Sequence, residues 1–201
     1  MAPSGNKPQV SVQFHWVETR IRDVSSESTD DDGRGGLSFY TESIVTPLFK
    51  KVYFRSIYLH YCGQIVYDFL EDQIDNSPFL AQINLFSNNW PKSTSDLLAS
   101  FCLKGRPGKR VSVFLYREKE DPIDSDYIQL LLDLWKTNGN LHFELYFTGR
   151  IVAFQSFFKH ETEKSVVIFS NCARRMECFT CECDQFKKCL LKERYPQYHN
   201  F

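Results

Sequence analysis

Cysteine residues crowd near the C-terminal end of this chain at spacings that suit a metal ion. Four of the seven cysteines form the pattern C-x-x-C-x-C-x5-C, with a histidine downstream, and these residues are Cys178, Cys181, Cys183, Cys189 and His199. Zinc takes four thiolate or imidazole ligands in a tetrahedron, and a C-x-x-C turn supplies two of them. The pattern predicts a small zinc-stabilised module that uses the four cysteines, with His199 as an alternative to Cys189. Otherwise the cysteines are reduced and buried as small apolar residues.

A basic loop that contains two glycines lies at residues 105–110, with the sequence Gly-Arg-Pro-Gly-Lys-Arg. Its glycines could expose backbone amides to a phosphate group. Connecting turns also favour glycine and proline, and the flanking charges are then simply solvated. A structural turn is the favoured interpretation, and phosphate binding is the alternative.

No recognisable catalytic arrangement accompanies these residues. Nucleophilic catalysis needs a nucleophile, a base and a group that orients the base. The five histidines are scattered, and the chain has neither a nucleophile-elbow motif nor a metalloprotease motif. No glycine-rich nucleotide-binding motif follows a predicted strand. The sequence therefore predicts a protein that is not an enzyme.

The elements that position these residues follow a repeat. Two stretches, 54–62 and 80–88, match the leucine-rich-repeat strand pattern L-x-x-L-x-L-x-x-N/C, and two weaker copies follow. Aligned on Leu59, Leu85, Leu115 and Leu145, the copies are spaced by 26, 30 and 30 residues. Helical periodicity follows each of the first three strands, so the strands should be parallel. The pattern predicts an α/β fold, a short leucine-rich-repeat-like solenoid with parallel strands and helices on one side. The alternative is an ordinary open α/β sheet.

Capping and breaking residues set the expected bounds of the helices. The first helix after a repeat strand should end at Asn76-Ser77-Pro78, because a residue before proline avoids helical backbone. The second should cover Ser93–Leu103. The third should begin at Asp124 or Ser125 and stop at Asn138-Gly139. An additional helix is predicted near 41–51, ahead of the first repeat strand.

The residues between the consensus apolar positions of each strand should face away from the helices. Aligned by repeat, they form rows across the sheet. Their aromatic and histidine members, named here the aromatic surface, are Tyr58, His60, Phe86, Phe114, Tyr116 and Tyr146. Exposed aromatic residues beside polar ones are typical of a protein-binding hot spot. These six residues are the predicted partner contacts, unless the N-terminal strand or the C-terminal strands cover them.

The chain divides into three predicted parts. Residues 1–38 hold an N-terminal strand and a flexible acidic loop, 39–149 hold the repeats, and 150–201 hold an antiparallel β meander, the cysteine-rich segment and a tail. The C-terminal strands are predicted at 151–158, 165–170 and 177–183, followed by a short helix at 184–194. A meander there should close the open end of the solenoid. A strand at 177–183 would place Cys178 on the face opposite Cys181 and Cys183.

Charge and composition limit the class of partner. The net charge is −1, which argues against binding to nucleic acid or to a membrane surface by electrostatic attraction. No apolar run approaches the roughly 18–20 residues that cross a bilayer, and no secretory signal is recognised. Seven cysteines in such a chain predict reduced thiols in the cytoplasm or the nucleus.

Four stretches together carry a resemblance to a known family, and they are 67–79, 101–108, 132–143 and 188–196. They resemble a large, poorly characterised, nematode-expanded family of F-box-associated proteins, and the resemblance covers residues 40–201. Proteins of the F-box type join a ubiquitin ligase through an N-terminal helical module and hold the substrate with a downstream domain. The F-box module itself is not seen here, since no L-P-x-x-x-x-x-x-I run precedes residue 40. The resemblance implies no catalytic residues.

These observations predict a non-enzymatic protein-interaction domain whose partner is another protein. The resemblance extends this to a substrate-recognition module of a ubiquitin-ligase-type system. Two alternatives stay open, namely the zinc-stabilised module and a paralogue that has lost its ligase-binding part. Zinc is the one cofactor that the residues suggest.

Overall fold

The computed structural model describes residues 52–87, 89–116, 125–148, 157–170 and 174–201. These residues form a mixed seven-stranded sheet and four helices, with a short 3-10 helix at Pro196–Tyr198. The strands are β1 (Ser56–His60), β2 (Gln82–Phe86), β3 (Val111–Tyr116), β4 (Phe143–Phe147), β5 (Phe157–Lys159), β6 (Ser165–Ser170) and β7 (Arg175–Thr180). The helices are α1 (Gln64–Asn76), α2 (Thr94–Cys102), α3 (Ser125–Asn138) and α4 (Leu190–Arg194). The expected α/β class is confirmed.

Helices α1, α2 and α3 form where the apolar periodicity predicts them. In α1 the buried residues Val66, Phe69 and Ile74 recur at helical spacing along one side. The helix ends two residues before Pro78, as the restriction on the residue before proline requires. All three helices share one apolar core with the strands.

Strands β1 to β4 lie side by side in sequence order and are parallel. Leu59 pairs with Leu85, and Leu85 pairs with Leu115, as the repeat spacing predicts. These apolar residues face the helices. The residues that alternate with them lie on the opposite face of the sheet, called the second face below.

The fourth strand is shifted by two residues from the predicted register. The repeat spacing aligns Leu145 with Leu115, but Leu145 pairs with Val113. As a result, Tyr146 lies beside Phe114 in the sheet.

The entrance to β4 explains the shift. The Val111 N–H donates to the His142 carbonyl over 3.3 Å, and the His142 N–H donates to the Gly105 carbonyl over 3.2 Å. A side-chain carbon on Gly105 would lie 2.2 Å from the His142 carbonyl oxygen, so glycine is needed for the two backbones to approach. These contacts hold His142 opposite the start of β3 and set the register independently of the repeat spacing.

Strands β5, β6 and β7 form the predicted antiparallel meander, but it does not close a solenoid. Strand β7 pairs with β4, so the sheet continues in the order β1-β2-β3-β4-β7-β6-β5 and is not closed. The predicted leucine-rich-repeat solenoid is thus not shown, since the parallel strands are one part of a wider mixed sheet. The burial of β6 and β7 explains why the sheet continues past β4. Val167 and Cys178 join the helix-side core, while Val166 and Phe179 are buried on the second face. Strands buried on both faces belong inside a layered fold.

The strand predicted at 177–183 ends earlier than expected, before Cys181, and the last helix is shorter than predicted. Strand β7 ends at Thr180, and α4 covers five residues where 184–194 was expected. The N–H groups of Gln185 and Phe186 donate to the Glu182 carbonyl, which turns the chain before α4. Helix α4 and the tail then pack on the second face of β6 and β7.

Several predicted features lie outside the described residues. They are the N-terminal strand and acidic loop within 1–38, the helix near 41–51 and the first part of the strand predicted at 151–158. Within the described ranges, no helix is both long enough and apolar enough to cross a bilayer.

Candidate metal centre and aromatic surface

Three thiols and one imidazole converge beyond the end of β7. Cys181 and Cys183 follow the strand directly, Cys189 precedes α4, and His199 lies in the tail after the 3-10 helix. One ligand atom from each residue lies within 4.8 Å of the corresponding atom of the other three. The His199 Nε2 atom is 3.2 Å from Cys181 Sγ and 3.1 Å from Cys183 Sγ. These four residues are called the thiol–imidazole cluster below.

Local hydrogen bonds bring the thiols together. The Cys181 N–H donates to the Lys164 carbonyl over 2.7 Å, which anchors the start of the turn to the β5–β6 connection. The Lys164 ammonium also pairs with the Asp184 carboxylate at 2.8 Å. At the other end, the Cys189 sulfur accepts a hydrogen bond from the Glu182 N–H at 3.4 Å. The turn is therefore held at both ends, and this folds Cys189 back toward the other ligands.

The thiols of the cluster differ in their pKa. Loss of hydration, followed by the neighbouring Cys181 and Cys189 thiols, raises the pKa of Cys183 to about 11. Burial opposes ionisation of Cys189, yet hydrogen bonds from the backbone of Glu182 and Lys192 bring its pKa below the usual range. Crowded thiols resist losing their protons together unless a cation neutralises the thiolates.

The cluster fits the size and ligand set of a tetrahedral metal site. Ligand–metal distances of about 2.0–2.3 Å for zinc place ligand atoms about 3.5–4 Å apart, and the observed spread of the four atoms is compatible with that. The burial is graded, with Cys189 buried, Cys181 and His199 half-buried and Cys183 exposed. Four protein ligands leave no open position, so the arrangement is that of a structural site.

Cys178, which the sequence analysis included among the ligands, lies elsewhere. It is in β7, opposite Phe143 and Val167, and is fully buried in the helix-side core. Its thiol donates to the Leu141 carbonyl at 3.5 Å, and burial raises its pKa well above the usual range. Cys178 therefore lies on a different side of the chain from Cys181, as strand alternation predicted. Its inclusion among the metal ligands was wrong. His199 takes its place.

A buried carboxylate lies between two of the cluster residues. Glu182 accepts hydrogen bonds from the Gly108 N–H at 2.8 Å and the Leu190 N–H at 3.4 Å. Its Oε1 atom also lies 3.3 Å from Nδ1 of the buried His142. Burial lowers the pKa of His142, with Arg110 in the same sense and Glu182 and Glu144 opposing. Glu182 thus links the cluster to the loop at 105–110.

That link identifies the glycine-containing loop as a structural turn. The Gly108 amide, which a phosphate cradle would need, already donates to Glu182. Gly108 has φ +78°, and a side-chain carbon there would lie 2.6 Å from the Phe186 ring. The backbone conformation and the close packing against Phe186 therefore explain why position 108 is a glycine.

Two buried carboxylates mark the middle of the second face, and the sequence analysis did not identify them. Glu144 in β4 and Glu177 in β7 are paired in register and are almost inaccessible to solvent. The Arg194 guanidinium lies 2.5 Å from Glu144 and 3.1 Å from Glu177, and Arg175 Nε lies 2.9 Å from Glu177. The Tyr195 hydroxyl also donates to Glu177. Because guanidinium groups neutralise both carboxylates, the pair holds α4 on the sheet and is not arranged as an acid–base pair.

The six residues of the aromatic surface lie together on the second face of β1 to β4. His60, Phe86 and Tyr116 stack in one row, with ring centroids 4.7 and 4.5 Å apart and planes within 12°. Phe114 stacks on Tyr146 at 4.4 Å and 2°, and the Phe114 and Tyr116 rings are 6.3 Å apart. Described residues leave these rings half-buried or exposed. The sequence pattern identified this group, although the shifted register changes which ring Tyr146 contacts.

Comparison with known proteins finds no relative: no family model, curated protein or solved structure matches this chain. Function must therefore be argued from the geometry of the described residues.

Proposed function

We propose that this chain is a non-enzymatic protein-binding domain and that a segment of another protein docks on the aromatic surface. One observation carries the proposal: four aromatic rings and one imidazole form stacked rows, with Tyr58 on the same face, on an area that described residues leave partly open. Stacking holds each ring in place before a partner arrives, so binding costs little side-chain entropy. Aromatic residues are also the commonest protein-binding anchors.

The electrostatics around the surface favour a peptide partner over a substrate that reacts. Burial raises the pKa of Tyr116 and Tyr146, so both hydroxyls remain neutral donors at physiological pH. Among the described residues, the Cys–His contacts belong to the thiol–imidazole cluster, where three thiols share one imidazole. Neither feature provides an activated nucleophile next to the aromatic surface.

Site-specific photocrosslinking tests this proposal. A photoreactive amino acid at Tyr116 should crosslink one recurring protein in cells, whereas the same group at Phe201, also exposed, should not. The purified crosslinked protein should then bind the wild-type chain, and Phe86→Ala with Tyr116→Ala should weaken that binding by about tenfold or more. Equal binding of the variant, or no specific crosslink from Tyr116, would refute the proposal.

A second candidate function is structural zinc binding by Cys181, Cys183, Cys189 and His199. The closed set of four ligands supports it, and the geometry agrees with the tetrahedral preference of zinc. Bound zinc would hold the turn after β7, the start of α4 and the tail together. The zinc would have a folding role, and no reaction step is assigned to it.

Metal analysis tests the zinc proposal. Protein purified without chelator should hold about one equivalent of zinc, as expected for a single four-ligand site. Cobalt substitution should give a thiolate-to-metal charge-transfer band, and Cys183→Ser should shift it while Cys62→Ser should not. A zinc content near zero in protein that has kept its fold would end this idea.

The family resemblance supports a narrower proposal, that the chain is a substrate-recognition module of a ubiquitin-ligase-type system in the cytoplasm or nucleus. The seven cysteines of the chain suit a reducing compartment. The strand–helix units keep leucine-rich-repeat spacing in β1 to β3, which supports their origin as repeats. Binding of the purified chain to a ligase adaptor should be measured directly. Partner binding without adaptor binding would favour the paralogue that has lost its ligase-binding part.

A further inference from the structure

A basic groove lies on the second face where β1, β2 and β3 begin. It has a volume of about 640 Å³ and adjoins the aromatic surface, because Tyr58 belongs to both. The described lining residues that matter here are Arg55, Lys109 and Arg110, with Ser56, Gln82 and Ser112 between them. No carboxylate is among the described lining residues.

The positive charge of the groove is only partly neutralised by its surroundings. Arg110 lies 3.2 Å from Glu144, but that carboxylate also binds the Arg194 guanidinium at 2.5 Å. Lys109 donates to the Pro78 carbonyl at 3.3 Å, a contact that leaves its charge intact. One shared carboxylate cannot balance the cations that line this volume, so the groove favours an anion.

A hydroxyl in the lining supplies a second, independent observation. Ser56 is 9% exposed, and its Oγ atom has no hydrogen-bond partner among the described residues. A buried hydroxyl without a partner costs about 1–3 kcal/mol, so such groups are rare unless a ligand or water completes them. Ser56 precedes Ile57 in β1 and pairs in register with Gln82, whose amide also lines the groove.

We propose that the basic groove binds a phosphorylated side chain of the protein that docks on the aromatic surface. This inference rests on the proposed protein-binding function. A phosphate group carries a charge of about −1.5 to −2 and three acceptor oxygens, which match the guanidinium and ammonium donors of Arg55, Lys109 and Arg110. The backbone of the 105–110 loop is not the binding element, since Glu182 occupies the Gly108 amide. The side chains of that loop, together with Arg55 and Ser56, make the contacts.

A defined peptide series tests the assignment. The probe is a synthetic heptapeptide with phosphoserine between two phenylalanines, and its counterparts carry serine or glutamate at the same position. Titration followed by amide NMR should give saturable shifts at Ser56, Gln82 and Ser112 with the phosphopeptide. Its affinity should exceed that of the serine and glutamate peptides by about tenfold or more, as loss of charge-assisted hydrogen bonds predicts.

Paired variants locate the binding. Arg55→Ala with Lys109→Ala should weaken phosphopeptide binding by about tenfold or more, and Ser56→Ala by a few-fold. The control pair, Lys136→Ala with Lys192→Ala, removes two exposed cations elsewhere and should leave binding unchanged. Equal loss in both pairs would overturn the assignment, as would equal binding of the glutamate peptide or of inorganic phosphate alone.

The two proposals can fail separately. If the phosphopeptide does not bind, while the Tyr116 crosslink is observed and Phe86→Ala with Tyr116→Ala weakens binding of the crosslinked protein, the phosphate inference is wrong and protein binding stands. If neither experiment gives a signal, both are wrong.

Discussion

The second face of the sheet has two halves that are built differently. Over β7 and β6, the covered half lies beneath α4 and the tail, with Phe179 and Leu191 packed between them. Over β1 to β4, the aromatic half carries stacked rings that described residues leave partly open. Both halves belong to one continuous sheet.

The difference between the halves shows how one face can provide both stability and a binding area. The covered half contains the buried Glu177 carboxylate with its guanidinium partners and four converging residues that could hold a metal ion. The aromatic half uses contacts between rings that remain favourable when water is present. We therefore expect substitutions in the covered half to affect folding and substitutions in the aromatic half to affect binding.

The largest effect should follow from disrupting the thiol–imidazole cluster. Cys189→Ser should lower the free energy of unfolding of zinc-loaded protein by about 3 kcal/mol or more, because metal binding energy contributes directly to folding. Cys62→Ser, outside the cluster, should cost about 1 kcal/mol or less. Chemical denaturation with and without chelator measures this. Equal losses of unfolding free energy in the two variants would show that metal binding does not stabilise the covered half.

Loss of the buried Glu182 carboxylate should have the next largest effect. Glu182→Ala leaves the Gly108 and Leu190 N–H groups without their acceptor and should cost about 2–3 kcal/mol. Exposed Glu161→Ala should change stability by less than about 0.5 kcal/mol. Hydrogen exchange should quicken at Gly108 while zinc content is unchanged. Unaltered exchange at Gly108 would show that the turn does not depend on the covered half.

Removal of rings from the aromatic half should have a smaller effect on folding. Phe86→Ala with Tyr116→Ala should cost about 1–2 kcal/mol, the amount expected for partly exposed stacked rings. Fully buried Phe69→Ala, in contrast, should cost about 3–5 kcal/mol. Thermal unfolding of the variants gives the ranking. A cost for the double variant equal to that of Phe69→Ala would show that the aromatic half is part of the folding core.

The smallest effect should be a dependence of stability on pH through His142. Burial lowers its pKa from the usual 6.5, so the unfolded state binds the proton more readily than the folded state. Stability should therefore fall as the pH drops below 6.5 toward the folded pKa. The groups that face His142 are Glu182, Arg110 and Glu144, and all should be retained. Zinc-saturated wild type and His142→Asn should diverge in this range, and parallel curves would exclude His142 as the cause.

Local patterns predicted much of the parallel part of the sheet. Apolar periodicity and Pro78 located α1, and the repeat spacing gave the register of β1, β2 and β3. The predicted register of β4 was wrong. The observed register is set by the close approach of Gly105 and His142, which are 37 residues apart in the sequence. Such contacts leave no periodic signal in the sequence.

The candidate site was predicted in the same uneven way. Cys181, Cys183 and Cys189 were identified from spacing. Strand alternation already placed Cys178 on the face opposite Cys181 and Cys183, and its burial in the helix-side core excludes it from the cluster. The contact between Glu144 and Arg194 joins residues 50 positions apart and requires the β4–β7 pairing, which no local pattern indicates. The aromatic surface was found because its residues alternate with the apolar ones within each strand.

The short sequence separation within the thiol–imidazole cluster has a kinetic consequence. Cys181 and His199 are 18 residues apart, whereas the Glu144–Arg194 contact spans 50. A shorter loop loses less entropy when it closes, so the cluster can assemble before α4 finds its place on β4. We expect zinc to accelerate refolding more than it slows unfolding, as stabilisation of an early-formed contact does. Stopped-flow refolding with and without zinc would show whether this corner of the molecule folds first.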